Sequence, residues 1–140
     1  MRKKTRTVLA LPGGLLLGGW LLAWPGPGLV AAQGAAQEPP PGFELGGDPT
    51  AGSKTYKVYC KKCHGKRGNG KGLMAKDLNP KPRDFTDKTR MEKRSDWQIF
   101  LGIKEGGPAV GLSDQMTGWK DTLTEQEMRD VAAYIRQFAE

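Results

Sequence analysis

Cysteine and histidine are scarce in this chain of 140 residues, which contains two Cys and one His. So few cysteines exclude a scaffold held by several disulfides, and the three residues together exclude a metal site built from four Cys or His ligands. Internal repeats and the alternating pattern of a half-buried β-strand are also lacking. The length fits one domain, but 20 Gly and 10 Pro predict that part of the chain is not globular.

The N-terminus has the composition of an export signal. Four basic residues among the first six precede an apolar stretch from Val8 to Trp24, and Val30 and Ala32 follow with the spacing of a cleavage site. This pattern predicts a signal peptide over residues 1–32 and a periplasmic location. An uncleaved membrane anchor is the alternative, because the apolar stretch is close to spanning length, although its Gly and Pro residues disfavour a continuous helix.

Acidic residues are the minority, with 15 Asp and Glu against 22 Lys and Arg. Cleavage of the signal would lower the formal charge from +7 to +3, so nucleic acid is not an expected partner of the exported protein. The remaining charge is uneven, since residues 54–94 carry +10 and residues 95–140 carry −4. The basic part is expected to attract acidic partner surfaces, and an ordinary solvated face is the alternative interpretation.

A change of composition separates a linker from the globular domain. Residues 33–47 are rich in Pro, Gly and Ala and have no apolar period, which predicts a flexible linker without a fold of its own. The domain is then expected over residues 48–140. A domain of this size has a small core, and a large buried cofactor would add to it.

Three main helices are expected, each with its own start signal. Asp48 before Pro49 is typical of a helix start, and Ser95 and Thr124 each have the partner that completes a capping box three residues later. The first helix is expected to deliver Cys60 and Cys63 to the same side.

The rest of the domain follows from the same signals. The last helix carries an apolar stripe, which comprises Met128, Val131, Ala132, Ile135 and Phe138. Residues 64–94 are rich in Gly and Pro and predict a long loop with one short helical turn near residues 73–78. The fold class expected from these elements is all-α.

Both cysteines and the histidine fall in the pentapeptide Cys60-Lys-Lys-Cys63-His64. Two thiols one helical turn apart can each bond to a vinyl group of the same porphyrin, and the adjacent imidazole can bind the iron. The motif therefore predicts a single covalently attached haem c, with His64 as an axial ligand.

Three other interpretations of the pentapeptide remain open. A redox-active dithiol would normally begin a helix in a strand-helix-strand unit, and no strand pattern flanks these residues. A zinc site would need a fourth ligand from elsewhere in the chain. A structural disulfide between Cys60 and Cys63 is compatible with export, but it gives His64 no role.

The sequence resembles the class I c-type cytochromes over nearly all of residues 48–140. The resemblance is carried by CKKCHG after a helix with Gly52 and Tyr56, by GKRGNGKG, LNPKPRDF and EGGPAVGLSDQMTGW, and by the final DVAAYIRQF. It implies an all-α fold with long loops around one haem, in which the first and last helices cross at Gly52, near Tyr56 and Tyr134. It also implies electron transfer without substrate chemistry.

Four methionines of the exported part are candidates for the second axial ligand. Met128 belongs to the apolar stripe and is expected in the core, whereas Met91 has charged neighbours and is expected at the surface. Met74 follows His64 closely enough to stay a candidate. Met116 lies in the loop where the family places its distal methionine, with Thr117 in place of the usual proline. Met116 is the expected ligand, and Met74 or an open position are the alternatives.

The surroundings of the haem are less defined by the sequence. The proximal imidazole needs a hydrogen-bond acceptor for its second nitrogen. The family's acceptor lies near a Gly-Pro pair, but the matching position in this chain is Gly72-Leu73. This leaves the carbonyls of Pro80 and Pro82 as candidates. Arg83 and Trp119 are candidate partners of the haem propionates, and a solvent-facing Arg and a core Trp are the alternatives.

The function expected from these residues is that of a periplasmic electron carrier and not an enzyme, a monomer that exchanges electrons with respiratory redox proteins. A haem subunit of a larger oxidoreductase complex is one alternative. A haem sensor or peroxidase-like protein with an open sixth position is another. Contact with a membrane is expected only if the N-terminal segment is uncleaved.

Overall fold

The computed structural model describes residues 38–140, which form five α-helices and three 3₁₀ turns joined by long loops. The helices are α1 (Pro49–Tyr59), α2 (Lys61–His64), α3 (Lys88–Glu92), α4 (Asp96–Glu105) and α5 (Glu125–Arg136). The 3₁₀ turns are Leu73–Asp77, Gly107–Val110 and Gln137–Ala139. Within these residues there is no β-strand, and one isolated antiparallel bridge joins Gly106 to Thr117. The expected all-α class is confirmed.

The predicted signal peptide or anchor, residues 1–32, lies outside the described residues, as do residues 33–37 of the predicted linker. From residue 38 onward, none of the helices has both the length and the apolarity needed to cross a bilayer.

Local capping interactions define the starts of the three main helices. The Asp48 carboxylate accepts a hydrogen bond from the Thr50 N–H at 2.8 Å, which caps α1 ahead of Pro49. Ser95 and Thr124 begin α4 and α5 with complete capping boxes. Each cap pairs N–H groups that would otherwise lack an acceptor, at a typical gain of about 1 kcal/mol. The three predicted helices are confirmed.

Helices α1 and α5 approach each other most closely at Gly52. A Cβ atom built on Gly52 would lie 1.9 Å from the carbonyl oxygen of Asp130, so only glycine permits this distance between the two backbones. The rings of Tyr56 and Tyr134 then meet edge to face, with centroids 5.3 Å apart. The crossing that the family resemblance implied is therefore present.

The core lies between these crossed helices and α4. Met128, Val131, Ala132 and Ile135 are buried, as the apolar stripe of α5 predicts. Phe43 also packs on this core, with its ring centroid 4.9 Å from that of Trp97. The expectation of an unfolded linker is therefore wrong at Phe43, because an aromatic side chain there gains a buried contact that the composition of its neighbours does not reveal.

Met91 is 1% exposed, and the expectation of a surface position is wrong. Its charged neighbours belong to α3, a short helix that the sequence did not predict, and this helix turns Met91 inward. Arg136 at the end of α5 donates to the Met91 carbonyl at 2.9 Å and pairs with Asp96 at 2.6 Å. These long-range contacts hold α3 in place, and they have no local sequence signal.

We predict that Gly52→Ala lowers the free energy of unfolding of the haem-loaded protein by about 1–3 kcal/mol, because the new methyl group would displace the backbone of α5. Denaturant unfolding measures this loss. Gly102→Ala in α4 is the matched control, since a Cβ there would meet no backbone atom and only the Val110 side chain, at 3.3 Å. Equal stability of Gly52→Ala and the unmodified protein would contradict the proposed role of the crossing.

Candidate functional site

The two cysteines lie on either side of a break between α1 and α2. Cys60 ends α1 and precedes α2, and the N–H groups of Cys63 and His64 both donate to its carbonyl, at 3.2 and 3.0 Å. The single helix expected through both cysteines is therefore interrupted at Cys60, because the chain turns there into a short second helix. Both thiols are nevertheless half-buried in the wall of the same cavity, as predicted.

This cavity has a volume of about 750 Å³ and lies between the cysteine motif and the loop before α5. Cofactor pockets commonly enclose about 300–1,000 Å³. Its wall contains the candidate residues Cys60, Cys63, His64, Met116, Arg83 and Trp119. A smaller cavity of about 60 Å³ shares His64, Arg83 and Met116 with it. The volume and the donors in the wall fit a covalently attached porphyrin.

His64 is held in the orientation and protonation state of a metal ligand. Its Nδ1–H donates to the carbonyl of Arg83 at 3.2 Å, which leaves Nε2 available for iron. The ring stacks on Phe85 with centroids 4.5 Å apart. Burial lowers the pKa of His64, while the hydrogen bond to Arg83 opposes this shift, so the neutral imidazole is favoured. The acceptor is thus Arg83, and neither Pro80 nor Pro82.

Arg83 lines the cavity and has one buried donor without a partner in the described residues. Its Nε–H has no acceptor within residues 38–140. Burial and the nearby charges of Arg94 and Arg90 lower the pKa of Arg83, although Asp87 opposes them. A guanidinium residue in the cavity wall fits a group that carries carboxylates, as haem does. The propionate role predicted for Arg83 agrees with this placement, and Trp119 lines the same cavity.

The Cys60 thiol does not have the lowered pKa that is typical of a reactive dithiol. Burial, with a smaller effect of Cys63, raises the pKa of the Cys60 thiol to about 12, whereas reactive dithiols have a lowered pKa. The two cysteines are not joined in a disulfide. In residues 38–140, no group of three or more His, Cys, Asp or Glu side chains is arranged to bind a metal ion.

Two of the four candidate methionines line the cavity. Met116 is half-buried, and Met74 is 51% exposed on the 3₁₀ turn after Gly72. Met128 is buried in the core, as predicted. The Met116 carbonyl accepts a hydrogen bond from Gly107 at 2.9 Å, beside the bridge between Gly106 and Thr117. This backbone contact restrains the loop at the position where the family usually has a proline.

Basic side chains surround the cysteine motif. Nine of them are exposed and form no ion pair within the part of the chain that the structure describes. We call them the basic face; they are Lys54, Lys57, Lys61, Lys62, Lys66, Arg67, Lys71, Lys76 and Lys81. Because these exposed side chains form no ion pair within residues 38–140, their charge is available to an approaching partner.

Comparison with known proteins supports the same assignment. The family model of cytochrome c matches residues 49–139. Among solved structures, the KustC0563 c-type cytochrome has 32% sequence identity and a TM-score of 0.53, and the match covers 64% of this chain and 98% of that one. No curated protein matches the chain.

A second solved structure belongs to the Kuenenia stuttgartiensis reducing HAO-like protein complex Kustc0457/Kustc0458. It has 31% identity and a TM-score of 0.52, and the match covers 63% of this chain. The match spans 41% of that protein's chain, so the similarity concerns one part of a larger polypeptide.

We predict that the mass of the purified protein includes one haem that acid-acetone extraction does not remove. The double variant Cys60→Ser/Cys63→Ser should lose this covalent haem, because a serine hydroxyl does not form the thioether bond. Mass spectrometry and the extraction together measure the linkage. Pigment that leaves the unmodified polypeptide during extraction would contradict attachment through these cysteines.

Proposed function

The chain belongs to the cytochrome c family, and we propose that it is a periplasmic carrier that exchanges single electrons between respiratory redox proteins. The observation that carries this proposal is the cavity in whose wall both cysteines, His64 and Met116 lie together. Electron transfer favours a site with two firmly bound axial ligands, because little then rearranges when the iron changes oxidation state. The wall offers one candidate for each ligand.

Each residue of the site has a separate task in this proposal. Haem c, when bound, supplies the one-electron couple. Cys60 and Cys63 would hold it to the polypeptide through thioether bonds, and His64 would bind the iron through Nε2 while the Arg83 carbonyl fixes the imidazole ring. Met116 would supply a thioether to the iron, which favours the ferrous state. The Arg83 guanidinium would pair with a propionate.

A haem subunit of a larger oxidoreductase complex is the second candidate function. The similarity to one part of a chain in an HAO-like protein complex favours it. In this arrangement the same site passes electrons inside a stable assembly. Purification under native conditions distinguishes the two functions, since a carrier elutes as a free monomer, whereas a subunit elutes with a stoichiometric partner.

The basic face is proposed to guide acidic redox partners toward the cavity. Lys62 and Lys81 belong to both the basic face and the cavity wall, so a partner held by this charge comes close to the haem. Apolar side chains at the cavity, Val58 and Met74, are 60% and 51% exposed and offer short-range contacts between the charges. This arrangement combines long-range attraction with a small apolar contact area.

Met116→Ala should open the sixth coordination position, so that carbon monoxide binds rapidly to the reduced protein and the methionine-dependent absorption band of the oxidised protein disappears. Met74→Ala is the matched control and should leave both properties unchanged. Optical spectra and stopped-flow mixing measure these effects. The opposite result, in which only Met74→Ala changes the spectrum, would assign the ligand to Met74. Rapid carbon monoxide binding to the unmodified protein would favour the sensor or peroxidase-like alternative.

Electron transfer to an acidic partner protein should slow as salt is added, because counterions screen the basic face over a Debye length of about 8–10 Å near physiological ionic strength. Stopped-flow rates measured from about 10 to about 500 mM salt, a ~50-fold range of salt concentration, test this dependence. Lys62→Gln should weaken the salt dependence of the rate more than Lys88→Gln does, because Lys88 lies outside the basic face. A rate that does not change with salt would remove the proposed steering.

A further inference from the structure

Gln115, the residue before Met116, forms a two-point hydrogen bond to the backbone on the other side of the cavity. Its Oε1 accepts from the Asn79 N–H at 3.2 Å, and its Nε2 donates to the Asn79 carbonyl at 2.9 Å. Both main-chain groups of a single residue are thus paired with one side-chain amide. The Gln115 N–H also donates to Ser113 Oγ at 3.2 Å, which orders the start of this side chain.

The two segments that Gln115 joins both contribute residues to the cavity wall. Residues 78–83 include Arg83, whose carbonyl fixes the ring of His64. Residues 111–118 include Met116, the proposed second ligand. In the described part of the chain, no other hydrogen bond connects these two segments. The Gln115 amide is therefore the polar link between the support of one ligand and the loop of the other.

Each of the two segments also forms hydrogen bonds to another part of the domain. Gln115 therefore connects two segments that are already held in place. Lys81 donates to the carbonyls of Ala75 and Lys76, at 3.0 and 2.8 Å, and so ties its segment to the 3₁₀ turn after the motif. On the other side, Gly107 donates to the Met116 carbonyl at 2.9 Å. Without Gln115, the loop of Met116 would keep its hydrogen bonds on the α4 side and would lose those to residues 78–83.

We propose that Gln115 is a positioning residue that holds the Met116 loop against the segment supporting His64 and so keeps the methionine on the iron. This inference rests on the ligation by Met116 proposed above. Gln115 lies at the cavity wall and its hydrogen bonds are exposed to solvent, so it acts by restraining the loop and contributes little to the stability of the core.

The test is Gln115→Ala in the haem-loaded protein, with imidazole as the competing ligand. Loss of two exposed hydrogen bonds should increase the affinity of the ferric protein for imidazole about three- to tenfold. The methionine-dependent absorption band should weaken, and amide hydrogen exchange across residues 111–118 should become faster. A residue that only contributes to stability would not produce this combination.

Two control variants separate positioning from general destabilisation. Gln126→Ala also removes an amide with two hydrogen bonds, to Gly46 and Asp130, but it lies away from the cavity. Asn79→Ala keeps the backbone groups that Gln115 binds. Both should stay within about twofold of the unmodified protein in imidazole affinity.

The outcomes distinguish this inference from the proposed function. A normal methionine band in the unmodified protein, with no change in Gln115→Ala, would overturn the role of Gln115 and leave the electron-carrier proposal intact. Equal changes in Gln115→Ala and Gln126→Ala would also overturn it. An unmodified protein without methionine ligation would end both the ligation by Met116 and this inference.

Discussion

The contact between the backbones of α1 and α5 at Gly52 is the constraint on which the site depends. It fixes the direction of α1, and therefore the position at which this helix ends and the cysteine motif begins. Tyr56, one turn beyond Gly52, connects α1 to the end of the cysteine motif, because its buried hydroxyl donates to the carbonyl of Gly65 at 2.9 Å. Gly65 directly follows His64, so the helix crossing and the proximal side of the cavity are joined by one hydrogen bond.

The long loop after the motif is ordered by its own backbone contacts with that motif. Gly72 donates to the carbonyl of Cys63 at 3.1 Å, and a Cβ atom on Gly72 would lie 2.2 Å from the carbonyl oxygen of Lys62. Gly70 donates to the carbonyl of His64 at 2.9 Å. The glycines of this segment, which predict a loop, therefore have a second role. They allow two backbones to approach closely around the haem attachment residues.

Sequence reasoning succeeded where the signal is local. The capping boxes at Ser95 and Thr124 and the cysteine motif each lie within five consecutive residues, and the structure contains the helices they predict. It failed at Met91, whose burial depends on the contact of Arg136 with α3, and at the acceptor of His64, which is 19 residues away along the chain. These features follow from the packing of distant segments, which a local pattern does not encode.

The distribution of polar contacts also bears on the choice between a carrier and a sensor. A sensor needs a sixth position that a small molecule can open, whereas a carrier gains from a loop that stays in place. The Met116 loop is restrained from both sides, by Gly107 through the backbone and by Gln115 through its amide. If Met116 binds the iron as proposed, a displacement that moves its loop would strain or break these hydrogen bonds as well as the proposed bond to iron. This cost favours a permanently six-coordinate haem, and with it the carrier.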